Sequence, residues 1–130
     1  MKLEILVDFL ETKEVADTQI FPHLKCSINE AKILQILAQR YMQGQEDIEV
    51  LELLQEIYGV KNYNYLEHLQ DIKILLELGW LNQQSFTPIK ISEISPLELL
   101  NTAIGLAPSF LKLLQDGTLE VDLPDIKAYA

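Results

Sequence analysis

Asn64-Tyr65-Leu66-Glu67-His68-Leu69-Gln70-Asp71-Ile72-Lys73-Ile74-Leu75-Leu76-Glu77-Leu78-Gly79-Trp80-Leu81 is the stretch on which the fold of this chain turns. Asn64 is a helix-capping residue, and Glu67 follows three positions later as the acid that can answer it. Tyr65, Leu69, Ile72 and Leu76 recur at helical spacing and predict one buried face, with Gly79 placed where a left-handed residue would end the helix. At Trp80-Leu81 the period changes. With Pro88-Ile89-Lys90-Ile91-Ser92 beyond the polar stretch Asn82 to Ser85, apolar and polar residues alternate as in a small β-hairpin.

Towards the N-terminus, Val50, Leu53, Leu54 and Ile57 supply the stripe of another helix, headed by Glu46 and Asp47 and ended by Gly59. A tight connector, Gly59 to Asn62, joins it to the helix at Asn64. Earlier still, Ser27-Ile28-Asn29-Glu30 reads as a capping box that opens a helix over 28–42, with Leu34, Leu37, Ala38 and Tyr41 on one face and Gly44 as terminator. Residues 3–10 fit both a helical and an alternating period. The helix formers in Glu11 to Gln19 favour helix, and Ile20-Phe21-Pro22 is expected to stop regular structure. Towards the C-terminus, Ser95-Pro96-Leu97-Glu98 opens the first of two short helices, closed by Gly105 and Gly117. Leu123 to Ala130 begins like a helix and stops before two full turns, so the chain is expected to lead into a further region or to dock this tail.

Three helices, the last two joined by a tight turn and followed at once by a hairpin, give the order of a winged helix. The expected class is therefore mostly α: a winged-helix-like helical domain with a small β-hairpin and two following short helices. The expected division is an N-terminal helical segment at 1–26, the winged-helix-like core at 27–92 and a C-terminal helical extension at 93–130.

Bulk properties narrow the function. With 130 residues and 48% hydrophobic content the chain can bury a real core. Apolar runs such as Ile74-Leu75-Leu76 are short and broken by charge, which argues against a membrane partner. Acids inside the first apolar run argue against a secretory leader, so the default location is cytoplasmic. Cys26 is the only cysteine, leaving no internal disulfide. Twenty acids against ten bases give a net charge of -10, a sign that repels the phosphate backbone and argues against nucleic acid as a partner.

The run Ile91-Ser92-Glu93-Ile94-Ser95-Pro96-Leu97-Glu98-Leu99-Leu100, with the following Ile104-Gly105-Leu106-Ala107-Pro108-Ser109-Phe110-Leu111-Lys112-Leu113-Leu114, resembles the segment after the winged-helix domain at the N-terminus of certain bacterial AAA+ family ATPases. In pattern the resemblance covers residues 28 to 117. It implies a non-catalytic N-terminal domain that recruits or positions substrates or partner proteins ahead of the motor. No Gly-x-x-x-x-Gly-Lys-Ser/Thr occurs in the chain, so any ATP hydrolysis would belong to another part of the parent protein.

No residues converge on a reaction, so an enzyme is the least favoured class, and no catalytic, cofactor-binding or metal residue is assigned. His23, Cys26 and His68 fall short of four zinc ligands, and Cys26 lacks a setting that would activate it. Glu49, Glu52 and Glu56 share a helical face at spacings of three and four. Opposite the apolar stripe, they read as a solvated acidic face able to meet a basic protein partner, in preference to a hydrolase acid pair. Among the aromatic residues around the turn and hairpin, Tyr63 and Phe86 are least explained by either period and are taken as contacts at a protein interface. The other binding reading is a DNA-binding winged-helix regulator. It is opposed by Glu67, Asp71 and Glu77 on the reading helix, with only Lys61 and Lys73 nearby, and by the lack of Lys or Arg in Asn82 to Thr87.

Overall fold

The capping box at Ser27 forms as the sequence dictates. The Ser27 hydroxyl accepts from the Glu30 amide at 3.1 Å, and the Glu30 carboxylate accepts from the Ser27 amide at 2.9 Å. These bonds open the longest helix of the molecule, which is described over residues 3–84 and 95–116 by a computed structural model. In chain order the elements are α1 (Leu3–Glu11), a 3-10 turn (Val15–Asp17), α2 (Phe21–Leu24), α3 (Ile28–Tyr41), β1 (Asp47–Glu49), α4 (Val50–Tyr58), a 3-10 helix (Lys61–His68), α5 (Leu69–Leu78), β2 (Leu81–Gln84), a second 3-10 helix (Pro96–Asn101), β3 (Ala103–Leu106) and α6 (Pro108–Asp116). The fold is mostly α with a small antiparallel sheet.

Helix prevails over strand at the N-terminus because α1 buries Phe9 and packs chiefly on α3 and α6. Its C-terminal carbonyls, which lack a basic residue nearby, are met from α3: Gln35 donates to Phe9 O at 2.9 Å and Thr12 O at 2.7 Å, and Gln39 donates to Leu10 O at 2.9 Å. Ile20-Phe21-Pro22 does not stop regular structure. Pro22 sits in the first turn of the one-turn α2, where its missing N–H costs nothing.

The sheet departs most from the sequence reading. Its order is β1-β3-β2, with Ile48 opposite Ile104 and Leu81 opposite Leu106. Residues 103–106, assigned above to a short helix closed by Gly105, form the central strand. Thr102, extended at φ -100° and ψ 136°, ends the second 3-10 helix, and Gly105 pairs with Asp47 on one side and Asn82 on the other. A four-residue strand of this kind is specified by its two neighbours rather than by its own propensity. β2 thus pairs with β3 across a connection that includes the second 3-10 helix; the hairpin partner expected at 88–92 lies outside the described residues, as does Gly117. The two C-terminal helices are not consecutive, since β3 intervenes.

Two helix starts also shift. Asp47–Glu49, read as the head of a helix, is β1, and α4 begins at Val50, whose amide donates to Thr102 O at 3.0 Å. The helix read from Asn64 begins as α5 only at Leu69, because residues 61–68 wind as a 3-10 helix. Its expected inner face is nevertheless the buried one: Tyr65, Leu69, Ile72 and Leu76 are all in the core.

One buried cluster draws on all three segments of the chain, from Phe9 and Leu24 through Leu34, Leu53 and Leu75 to Ile104 and Phe110. At its centre Phe110 meets Phe9 and Trp80 edge-on, with ring centroids 5.6 and 5.7 Å apart. The indole N–H of Trp80 donates to Leu24 O at 2.9 Å, so the aromatic set leaves no polar atom of its own unanswered. Among the described residues no helix is long and apolar enough to cross a membrane.

Candidate functional site

α4 is amphipathic, and burial of Val50, Leu53 and Leu54 turns its acids outward. Glu52 and Glu56 lie one turn apart on its exposed side, and Glu56 forms an ion pair with Arg40 of α3. Hydrogen bonding to Glu56, ahead of the charges of Glu56 and Glu52, raises Arg40 still further above its usual range. Glu49 is exposed but stands at the end of β1 as the residue before the helix, not on the helical face with the other two. The acidic face is thus divided: one carboxylate is paired, one is free of any ion pair among the described residues, and one belongs to the sheet edge.

Tyr63 is 70% exposed and lies past the other end of α4. Nine helical residues at 1.5 Å each put about 13 Å of helix between it and Glu49. The structure does not bring these two together. Phe86 lies outside the described residues.

What the structure does assemble is a cluster of Tyr58, His68 and Asp71 that the sequence reading did not bring together. The Tyr58 ring, at the end of α4, stacks face to face on the His68 imidazole, with centroids 3.6 Å apart and planes within 7°. His68 Nδ1 lies 2.9 Å from Asp71 Oδ2, one turn on into α5. The Tyr58 hydroxyl is buried and meets no hydrogen-bond partner among the described residues. Burial first, and the negative charge of Asp71 second, push this phenol up to about 12. The visible signal was His-x-x-Asp, a spacing that faces two side chains across one helical turn. Nothing in the sequence placed Tyr58 against it.

The connector that this cluster closes is conformationally costly. Asn62 (φ 57°, ψ 20°) and Tyr63 (φ 56°, ψ 27°) are consecutive left-handed residues. Asparagine tolerates that region, whereas a bulky tyrosine there is an outlier. The Tyr63 backbone there stores strain of about 1–3 kcal/mol.

His68 and Asp71 form a pair of the kind that orients a base, but the Tyr58 hydroxyl makes no hydrogen bond to it and is held protonated. Cys26 is no better as a nucleophile, since burial and then the charge of Glu30 push its thiol up to about 12. An apolar groove of 260 Å³ lies between α1, the end of α3 and α6, lined by Leu6, Tyr41, Met42, Leu111, Leu114 and Gln115. A more polar recess of 360 Å³ touches Lys13, Glu14, Asn29 and Lys32. Neither contains a member of the Tyr58 cluster. Among the described residues no group of three His, Cys, Asp or Glu side chains is placed to hold a metal. Comparison of the chain with family models, with curated proteins and with solved structures finds no match.

Proposed function

We propose that this chain is a non-catalytic protein-interaction domain of winged-helix type, serving as the N-terminal regulatory part of a AAA+ ATPase. The observation that carries the reading is the placement of charge on a helix-turn-helix frame. The order α3, β1, α4, α5, β2, β3, with β3 between the other two strands, is consistent with α5 serving as the reading helix of such a frame. That helix and the turn before it offer Glu67, Gln70 and Glu77 to solvent. A surface of that kind repels phosphate and suits a protein contact. Exposed Tyr63 at the connector supplies an aromatic anchor, with the free carboxylate of Glu52 on the preceding helix.

Titration of the domain against duplex DNA at low salt tests the choice of partner. A flat curve is expected, and salt-sensitive binding at micromolar protein would replace the reading with that of a DNA-binding regulator. A photo-crosslinking residue at position 63 is expected to join a discrete protein in cells, with the same residue at buried position 72 as the blank; equal labelling from both positions would count against an interface. The coding sequence beyond Ala130 tests the ATPase connection, where a Gly-x-x-x-x-Gly-Lys-Ser/Thr loop is expected and its absence removes that part of the proposal.

A further inference from the structure

We infer that residues 59–68 form a latched strap: a segment that opens and closes on the folded body, held shut by the stack of His68 on Tyr58 and by the bond from His68 to Asp71. Three independent features place the latch here. The first is backbone geometry: Lys25 is the one other left-handed non-glycine among the described residues, whereas in the strap two such residues, Asn62 and Tyr63, are consecutive, and the Tyr63 amide reaches Val60 O only at 3.4 Å. The second is uneven anchoring: from Gly59 to Asn64 every residue is exposed, and the segment is held through Tyr65, the single buried side chain of the 3-10 helix, with Leu66 partly buried beside it. The third is the closure itself, in which one imidazole contacts both sides of the strap, the end of α4 through Tyr58 and the start of α5 through Asp71.

Closed, the His68 end of the strap lies on the Tyr58 ring, whose hydroxyl is buried with no partner among the described residues, and Tyr63 is held in a region that its side chain disfavours. Open, both penalties are relieved and the stack is lost. Segments of this kind, with few buried contacts and solvent-facing backbone, open locally while the body stays folded. The strap carries Tyr63, so its opening would decide how that ring is presented, but the latch requires no partner and can be tested without one.

Amide hydrogen exchange on the full chain, in low concentrations of urea, separates the two behaviours. In the unaltered protein the amides of Tyr65 to His68 are expected to exchange by an opening that urea promotes only weakly, since it exposes little beyond Tyr65 and Leu66, while those of Leu75 and Leu76 require strongly urea-sensitive unfolding. His68→Ala should accelerate the strap amides about tenfold and leave Leu75 and Leu76 unchanged. Tyr63→Gly, which suits the left-handed backbone, should slow the strap amides about tenfold. Should His68→Ala destabilise the whole fold, Leu75 and Leu76 would accelerate equally and Tyr63→Gly alone would decide. The inference is overturned if strap and α5 amides share one rate and one urea dependence, or if Tyr63→Gly fails to slow the strap.

Discussion

Two aromatic groups in this molecule are built on opposite terms. Phe9, Trp80 and Phe110 meet edge-on in the interior, and their one polar atom, the indole N–H, is answered by Leu24 O. Tyr58, Tyr63, Tyr65 and His68 gather at the connector between α4 and α5, where one ring is stacked flat, one is thrust into solvent and one hydroxyl is buried without a partner among the described residues. The first group combines burial with full hydrogen bonding and holds the segments of the chain together. The second gives up some of that cohesion, and local opening is easier where buried contacts are fewer.

The sharpest way to break the contrast is Phe110→Ala. Phe110 is fully buried against both other rings, so its loss should cost about 3–5 kcal/mol, read as a lowered denaturation midpoint in urea. Trp80→Phe keeps most of the packing but leaves Leu24 O without its donor, and should cost about 1–3 kcal/mol in the same assay.

The connector should respond in the other direction. Tyr58→Phe removes an unpaired hydroxyl and should leave the protein as stable at neutral pH or up to about 1 kcal/mol more stable. Its clearest signature is alkaline. The folded chain holds the Tyr58 proton to about 12 against 10.0 for the free side chain, so the unfolded chain releases it first as pH rises. Stability present below pH 10.0 is therefore lost between there and about 12, and the variant should lack that part of the loss. Cys26 titrates towards about 12 in both proteins and cancels in the comparison. The smallest effect is expected for Tyr63→Ala, within about 0.5 kcal/mol, since the ring buries little. A cost as large as that of Trp80→Phe would erase the distinction between the two groups.

The contrast also separates what was legible in the sequence from what was not. α3 could be read from Ser27, Glu30 and Gly44 because its signals are local: a cap, its reciprocal acid and a terminator at φ 94°. The inward side of α5 followed from the spacing of Leu69, Ile72 and Leu76. β1 and β3 could not be read, because strands of three and four residues are defined by partners more than fifty positions away, as in Ile48 opposite Ile104. That error moved Glu49 onto a helix to which it does not belong. Exposure of Glu52 and Tyr63 was visible from the apolar stripes that excluded them. The Tyr58 cluster was not, since it joins α4 to α5 across a connector whose left-handed turn no glycine announces.

The attachment of α1 has a consequence of a different sort. Gln35 and Gln39 hold its closing carbonyls through neutral amides, where lysine or arginine would be the commoner choice. An amide neither titrates nor attracts counterions, so added salt or a swing in acidity that weakens the Arg40–Glu56 pair should leave this junction unmoved. In a molecule so crowded with negative charge, the N-terminal helix is moored by the kind of bond least affected by it.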